Sequence, residues 1–441
     1  MNGNPPIWEC ILGVREAGQR DSVPPVAPAG TAKFLGRTRP AMIFNFRLFW
    51  RMTFRAFHRT GGTYGPLDHN RLAFLVCFYP IWGALALSAW AGFLLDEILF
   101  PAYRRQPVVK PLFIISPFRS GSTFVHRALA RDPSFSTMNM AHIYLMPSIT
   151  QRRIFGLLAR LDSWLGGPCE MLLRRFDAQT LKRLKLHPFS LFDPEEDEHV
   201  LFFAWSTLLA GFAFPFLDEM PPYQYFDTEI PRAQRRHIMA FYKACIQRHL
   251  YATGGRFYLA KNPLFSAKIE SLLEVFPDAR VVYLVRNPME VVPSTISLFH
   301  YAWRLFSRPP VRYPHAEQIL EWTKYWYEHP LEVIDRDQSG RCMMVHYDHL
   351  VRQPDRVLAR IYSEFRYPES HAVESILCDA AKDARAHASN HVYNLEAMGF
   401  TREQILHQFA PVFDRFEFDG IAAKGPKLVE EASHVEVQIA S

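Results

Sequence analysis

Three short apolar runs in this chain each reach a basic residue at or just beyond their end. PLFIISP, residues 111–117, leads to Arg119 in the turn FRSGSTF; FYLA, 257–260, leads to Lys261; ARVVYLV, 279–285, leads to Arg286. Runs of this length, apolar throughout and bounded by turn residues, have the character of strands buried on both faces of a parallel sheet. Helical patterns follow each one: STFVHRALARDP, LFSAKIESLLEVF and MEVVPSTISLFHYAWRLF. A fourth unit joins RCMMVHY to LVRQPDRVLARIYSEF. Strands alternating with helices predict an α/β fold, a parallel sheet wrapped by helices in three layers. Ligands of such sheets sit outside the carboxyl ends of the strands. Three cations converging there, with a Gly/Ser/Thr turn among them, describe a pocket for an anion carrying more than one phosphate-like group.

The junctions sharpen that reading. Lys261-Asn262-Pro263 echoes Arg286-Asn287-Pro288, and each predicts a basic strand end, an Asn N-cap and a Pro in the first helical turn. The turn SPFRSGST is P-loop-like but departs from GxxxxGK[ST]: it lacks the first Gly, and Arg119 precedes the Gly where a Lys would follow it. VVYLV ends in Arg286, where a magnesium-dependent site would place an Asp. Cations in place of an acidic metal ligand suit a phosphate ester gripped directly by the protein, and no metal is expected. The alternative classes are a P-loop-type nucleotide kinase or phosphotransferase, and a non-catalytic, membrane-anchored nucleotide-binding protein.

Upstream of the α/β pattern, residues 1–40 are rich in Pro, Gly, Ala and Arg without apolar periodicity, and they predict a disordered tail. Residues 41–105 read as a membrane-associated helical region. In AMIFNFRLFWRMTFRAFHR, Arg47, Arg51, Arg55 and Arg59 recur every four residues beside Phe46, Phe49, Trp50, Phe54 and Phe57, the pattern of a basic amphipathic helix in a membrane interface. Leu72 to Leu95 then runs 24 residues without a charge, against the ~20 that span a bilayer core. The expectation is membrane attachment through 72–95, as a transmembrane helix or as a hairpin dipping into one leaflet. Arginines flank both ends of the run, so orientation is not readable. With 50 Lys and Arg against 44 Asp and Glu, the net charge of +6 is too slight for a nucleic-acid footprint. Six scattered cysteines show no zinc-like spacing and read as buried, reduced thiols.

Residues 138–255 read as a helical insertion. It carries an acidic cluster, Glu195, Glu196, Asp197 and Glu198, at the head of an apolar helix. Acids there favour the helix macrodipole and need no function; alternatively one of them, or His187 or His199, serves as a general base. His126, on the helix leaving the turn, reads as a packed helix residue.

PLFIISPFRSGSTFVHRALARDPSF resembles the 5′-phosphosulfate loop of sulfotransferases, and VVYLVRNPMEVVPSTISLF resembles their 3′-phosphate signature. FYLAKNPLFSAKIESLLEVFPDARVVYLVRNP, HPFSLFDPEEDE and HVYNLEAMGFT are similar to the mainly bacterial group of that family that carries an N-terminal hydrophobic segment. The resemblance spans roughly residues 70–415. It implies a sulfotransferase catalytic domain over 106–425, followed by a tail over 426–441. It also implies the donor 3′-phosphoadenosine 5′-phosphosulfate (PAPS) and transfer to a hydroxyl or amine of a lipid, glycan or small-molecule acceptor. By position, Arg119 with Ser120, Gly121, Ser122, Thr123 and Phe124 would cradle the phosphosulfate. Lys261 would lie near the transferring sulfuryl, and Arg286 with Ser294 would hold the 3′-phosphate. Cytosolic members place a catalytic His two residues after that Lys; here the position is Pro263. A base is therefore expected elsewhere, Glu196 first and Glu195 next, with His187 and His199 open. His391 and Tyr393 would close over the donor.

Overall fold

The computed structural model describes residues 44–58, 67–181, 190–306, 312–386 and 395–418. Two helices come first: α1, Phe46–Phe57, and α2, His69–Leu99. Strand β1 (Leu112–Ile115) leads to α3 (Ser122–Leu129) and a two-residue strand, β2 (Phe135–Ser136). The insertion contributes α4 (Ile149–Trp164), α5 (Pro168–Phe176), several single turns, and α6 (Arg232–Thr253). Then follow β3 (Phe257–Lys261), α7 (Ile269–Val275), β4 (Arg280–Val285), α8 (Pro288–Phe306), α9 (Ala316–Arg336) and β5 (Cys342–His346). Helices α10 (Tyr347–Arg352), α11 (Pro354–Phe365) and α12 (Val373–Ala386) precede two short C-terminal helices.

The five strands form the expected parallel sheet, in the order β2-β3-β1-β4-β5. Side chains alternate across it because successive strand residues face opposite ways. Phe113, Ile115, Tyr258, Ala260, Val281 and Tyr283 point to one core, shared with α6 to α9. Leu112, Ile114, Leu259, Val282 and Leu284 point to the other, under α3 and α10 to α12. Central β1 lies between β3 and β4, with Ile114 level with Lys261 and Ile115 level with Tyr283. The chain leaves β1 toward β2 and β3, then crosses back over it to β4. That reversal opens a crevice outside the carboxyl end of β1, where such sheets take their ligands.

The N-terminal helices join the first of these cores. Helix α2 is long and apolar enough to cross a membrane, yet it lies along the protein and buries Leu75, Trp82, Ala86, Ala89 and Phe93 in one stripe. Gly92 faces α4 so closely that a Cβ there would meet Ser148 Oγ at 2.3 Å. At the far end of α2, buried Asp96 accepts from the amides of Ile149 (2.9 Å) and Thr150 (2.8 Å), from Thr150 Oγ1 (2.8 Å) and from Arg248 Nε (3.1 Å). Helix α1 buries Leu48, Met52 and Ala56. Two of its arginines find protein partners: Arg51 pairs with Glu219 (2.6 Å), and Arg55 with Asp218 (2.6 Å) and Glu219 (3.0 Å). Phe46, Trp50, Phe54 and Phe57 form its exposed arc instead. Arg59 lies outside the described residues, as does Cys10. The remaining five cysteines are free, and the expectation that they are buried is corrected for three: Cys77, Cys169 and Cys378 are exposed.

Candidate active site

The loop from Ser116 to Gly121 hangs on Phe118, which is buried edge-to-face against Trp326 with 5.1 Å between ring centroids. On either side of Ser120 the backbone turns left-handed, at Arg119 (φ 64°) and Gly121 (φ 81°). For arginine that conformation is strained, and such strain gathers at ligand clamps. Gly121 has a second constraint: a Cβ there would meet Tyr347 and Leu350 at 3.0 Å. Ser116 and Ser120 are fully buried, and their hydroxyls find no partner among the described residues. Buried polar groups are rarely left so; a phosphosulfate accepting from Ser120 Oγ fits the loop. Ser122 opens α3, with Thr123 and Phe124 half-buried behind it.

Arg286 follows β4 and is held from three directions. Its Nε donates to Glu290 (2.8 Å) and Nη2 also pairs with Glu290, while Nη1 donates to the carbonyl of Arg119 at 2.6 Å. The guanidinium lies 4.2 Å from the Tyr347 ring centroid, a cation–π contact. The residue expected at the 3′-phosphate thus also braces the strained residue of the loop. Ser294 lies nearly buried two turns into α8. Asn287 caps that helix, its Oδ1 accepting from Met289 N at 2.9 Å. The matching cap expected at Asn262 does not form. That side chain turns inward, accepting from Glu198 N at 3.1 Å and donating to Asp197.

The acidic cluster is not a solvated helix end. It enters a short 3-10 helix, Asp197–Ala204, with Glu195, Asp197 and Glu198 buried. Asp197 accepts from Tyr242 (2.7 Å), Tyr258 and Asn262, while Glu198 pairs with Lys268 and accepts from Thr207 at 2.7 Å. Burial raises the Asp197 carboxyl to about 6, against the lowering pull of those hydrogen bonds. Two of the four acids are therefore structural. Glu196 differs: its carboxylate, 16% exposed, lies 2.5 Å from the ammonium of Lys261, the last residue of β3 and only 2% exposed. This pair sits in the crevice beside β1.

Histidines surround the pair. Fully buried His126 places Nε2 2.8 Å from Thr137 Oγ1 and has no partner at Nδ1 among the described residues. Burial, helped by Lys261, lowers its pKa to about 3, so it is neutral. His199 Nδ1 is 2.5 Å from Tyr144 Oη, and burial lowers its pKa against the pull of Glu196 and Glu195. His187, His391 and Tyr393 lie outside the described residues. Sequence reasoning missed Tyr347, Glu290, Lys268, Tyr242 and Tyr258; Glu290 could have been found from its i,i+4 spacing to Arg286, whereas the other four carry no local signal because their partners are distant in sequence. Among the described residues no three His, Cys, Asp or Glu side chains group as metal ligands.

Comparison with known proteins agrees with this architecture. Over 267 residues, 57% of this chain, it is 26% identical to the omega-hydroxy-beta-dihydromenaquinone-9 sulfotransferase Stf3 of Mycobacterium bovis, and equally to that of Mycobacterium tuberculosis. The match spans 61% of those relatives' length. The fold is that of sulfotransferase STF9 from Mycobacterium avium, with a TM-score of 0.62 at 19% identity over 86% of this chain and 97% of that one. It is equally that of STF1 from Mycobacterium tuberculosis, with 0.63 at 18% identity over 84% and 93%. The model of the sulfotransferase family matches residues 111–370, from the start of β1 to beyond α11 and so over more than half of the sequence: the chain belongs to the sulfotransferase family.

Proposed function

We propose that this chain moves the sulfuryl group of PAPS to the hydroxyl of a membrane lipid. The observation that carries the reading is the Lys261–Glu196 pair at the end of β3, beside the loop of Ser116–Gly121. The donor supplies an activated sulfuryl group whose leaving group is already a phosphate. Arg119, the amides of Ser120 to Thr123, and the buried Ser120 hydroxyl hold the phosphosulfate; Arg286 and Ser294 hold the 3′-phosphate.

Lys261 and Glu196 neutralise one another until substrates arrive. Lys261 then turns its ammonium to the bridging oxygen, where charge grows as the sulfur–oxygen bond breaks. A fixed cation in a water-poor crevice stabilises that charge without reorganisation. Glu196, released from the ammonium, takes the proton of the acceptor hydroxyl as its oxygen bonds to sulfur. General-base catalysis of this kind contributes about 10²–10⁴ in rate. The products are a sulfate ester and adenosine 3′,5′-bisphosphate.

A lipid acceptor is supported by the exposed apolar residues of α1 and α2 and by the menaquinone-type acceptor for which the relatives are named. Membrane association through these two helices belongs to the same proposal. The test is transfer of ³⁵S from PAPS by the full chain into a membrane lipid extract, with wild type and Glu196→Gln in parallel. We expect a labelled lipid with wild type and a kcat lowered about 10²-fold or more in the variant, with adenosine 3′,5′-bisphosphate binding unchanged by titration calorimetry. Calorimetric preference for ATP–Mg²⁺, or a variant with full kcat, would sink the assignment.

A further inference from the structure

Helices α4 and α5 form a hairpin that carries an apolar face outward. Ile154, Leu157, Leu158, Leu161, Trp164 and Leu165 follow one helical stripe, and all are at least half exposed, Trp164 at the tip to 80%. The stripe continues onto α5, which buries none of its residues and exposes Leu172 and Phe176. The turn between the helices is built, not loose. The carboxylate of Asp162 accepts from the amides of Cys169 (2.8 Å) and Glu170 (3.0 Å), and the Gly167 amide donates to its carbonyl at 2.8 Å.

Charge and position say what covers this face. The exposed charges beside it are Arg153, Arg160 and Arg175; Asp162 is buried and Glu170 is taken up by Arg174. Arg153 and Arg160 are seven residues apart and so flank the same edge of the stripe. An apolar stripe edged with arginine and tipped with tryptophan is the pattern of a helix lying in a membrane interface. The stripe also begins where α2 ends: Arg153 stacks over Phe100 at 6.0 Å, and α2 exposes Leu94, Leu95, Ile98 and Leu99 just before it. Beyond the hairpin, Asp177 holds Ser190 Oγ (3.0 Å) and Leu191 N (2.8 Å), the start of the segment that carries Glu195 and Glu196.

We propose that the α4–α5 hairpin is a second membrane contact, seated in the headgroup and upper acyl region of an anionic leaflet beside α2. It rests on the reading of α2 as membrane-associated. The chain then meets the bilayer side-on, with its acid-bearing segment next to the leaflet.

The test replaces Leu161 with photoreactive p-benzoylphenylalanine in the full chain, reconstituted in nanodiscs of phosphatidylcholine and phosphatidylglycerol. Leu87 on exposed α2 and Glu364 on α11 receive the same substitution separately. We expect lipid adducts by mass spectrometry from positions 161 and 87 and none from 364. A lipid adduct at 87 with no adduct at 161, or with a protein adduct there from this chain or a second copy, overturns the hairpin proposal and leaves α2 standing. No lipid adduct at either position overturns both. Arg153→Gln, Arg160→Gln and Arg175→Gln together should lower binding to phosphatidylglycerol vesicles about tenfold or more, leaving adenosine 3′,5′-bisphosphate binding intact; unchanged vesicle binding refutes the anionic partner.

Discussion

Replacing Asp96 with Asn tests whether α2 is an anchor hung on the protein or part of its body. The carboxylate is fully buried and receives four hydrogen bonds, two from the first amides of α4, one from Thr150 and one from Arg248. Arg248 is itself only 3% exposed, bonds Glu97 at 2.9 Å, and lies between the rings of Tyr103 (4.2 Å) and Phe93 (4.8 Å). The Asn amide would keep one acceptor, set a donor against donors, and leave the guanidinium half-paired in the interior. Breaking a buried pair in this way costs about 3–5 kcal/mol; the orphaned helix amides belong to the same network, so their ~1–3 kcal/mol each does not simply add. Against a total stability of ~5–15 kcal/mol, about 4 kcal/mol is severe. At roughly 2 °C per kcal/mol for a large domain, the midpoint falls by about 8 °C. Differential scanning fluorimetry in detergent reads the shift, and pulse proteolysis in urea reads the free energy. Asp218→Asn is the control, since its pair with Arg55 is exposed and worth ~0–1 kcal/mol. An Asp96→Asn protein that melts with the control would refute the reasoning, and α2 would then be a dispensable attachment.

Two further outcomes follow from the site. Gly121→Ala places a methyl against Tyr347 and Leu350 at 3.0 Å in a left-handed backbone; we expect ~1–2 kcal/mol of lost stability and at least tenfold weaker adenosine 3′,5′-bisphosphate binding by calorimetry, and native affinity would contradict the role given to the loop. Acid should destabilise the fold through its buried histidines. His126 has a folded pKa near 3, and those of His199 and His249 are also lowered by burial, so unfolding takes up protons as pH falls below 6.5. Each such proton removes about 1.4 kcal/mol per pH unit. Asp197, raised to about 6, works in the opposite sense from there down toward 3.8 and offsets one histidine. Urea denaturation at pH 7 and pH 5 should show lower stability at pH 5, with a shallower loss in His126→Gln; equal slopes would remove His126 from the account.

The sheet was legible because its strands are short, wholly apolar and followed by helices of clear period, and the turn after β1 stood out as a candidate anion loop because its residue types announce themselves. The acidic cluster was harder to read. Glu196 was the first candidate for the base, with Glu195 next, but the partners that make Asp197 and Glu198 structural, Tyr242, Tyr258 and Lys268, come from α6, β3 and the turn after it. A buried carboxylate and a solvated helix cap read identically until those partners are known. Helix α2 shows a different limit. Where every face of a helix is apolar, periodicity no longer reports which face is buried, so a docked helix and a free span look alike. The arginines of α1 show a third limit: the pairing of Arg51 and Arg55 with acids of the protein is not readable locally, because Asp218 and Glu219 lie more than 160 residues away.

The bond from Arg286 to the carbonyl of Arg119 has a consequence for how a donor is recognised. A guanidinium has five N–H donors in one rigid plane; here two nitrogens face Glu290 and the third holds the carbonyl of Arg119 in the loop. A 3′-phosphate approaching Arg286 competes with Glu290, and any rotation of the guanidinium is felt at Arg119. Coupling between two sites is reciprocal, so a phosphosulfate that orders the loop also fixes the guanidinium for the 3′-phosphate. On the function proposed above, the two ends of the donor would then be read as one cooperative event. A nucleotide offering only one of its two anionic groups forfeits part of the affinity for the group it does have, and discrimination arises without any residue dedicated to rejecting it.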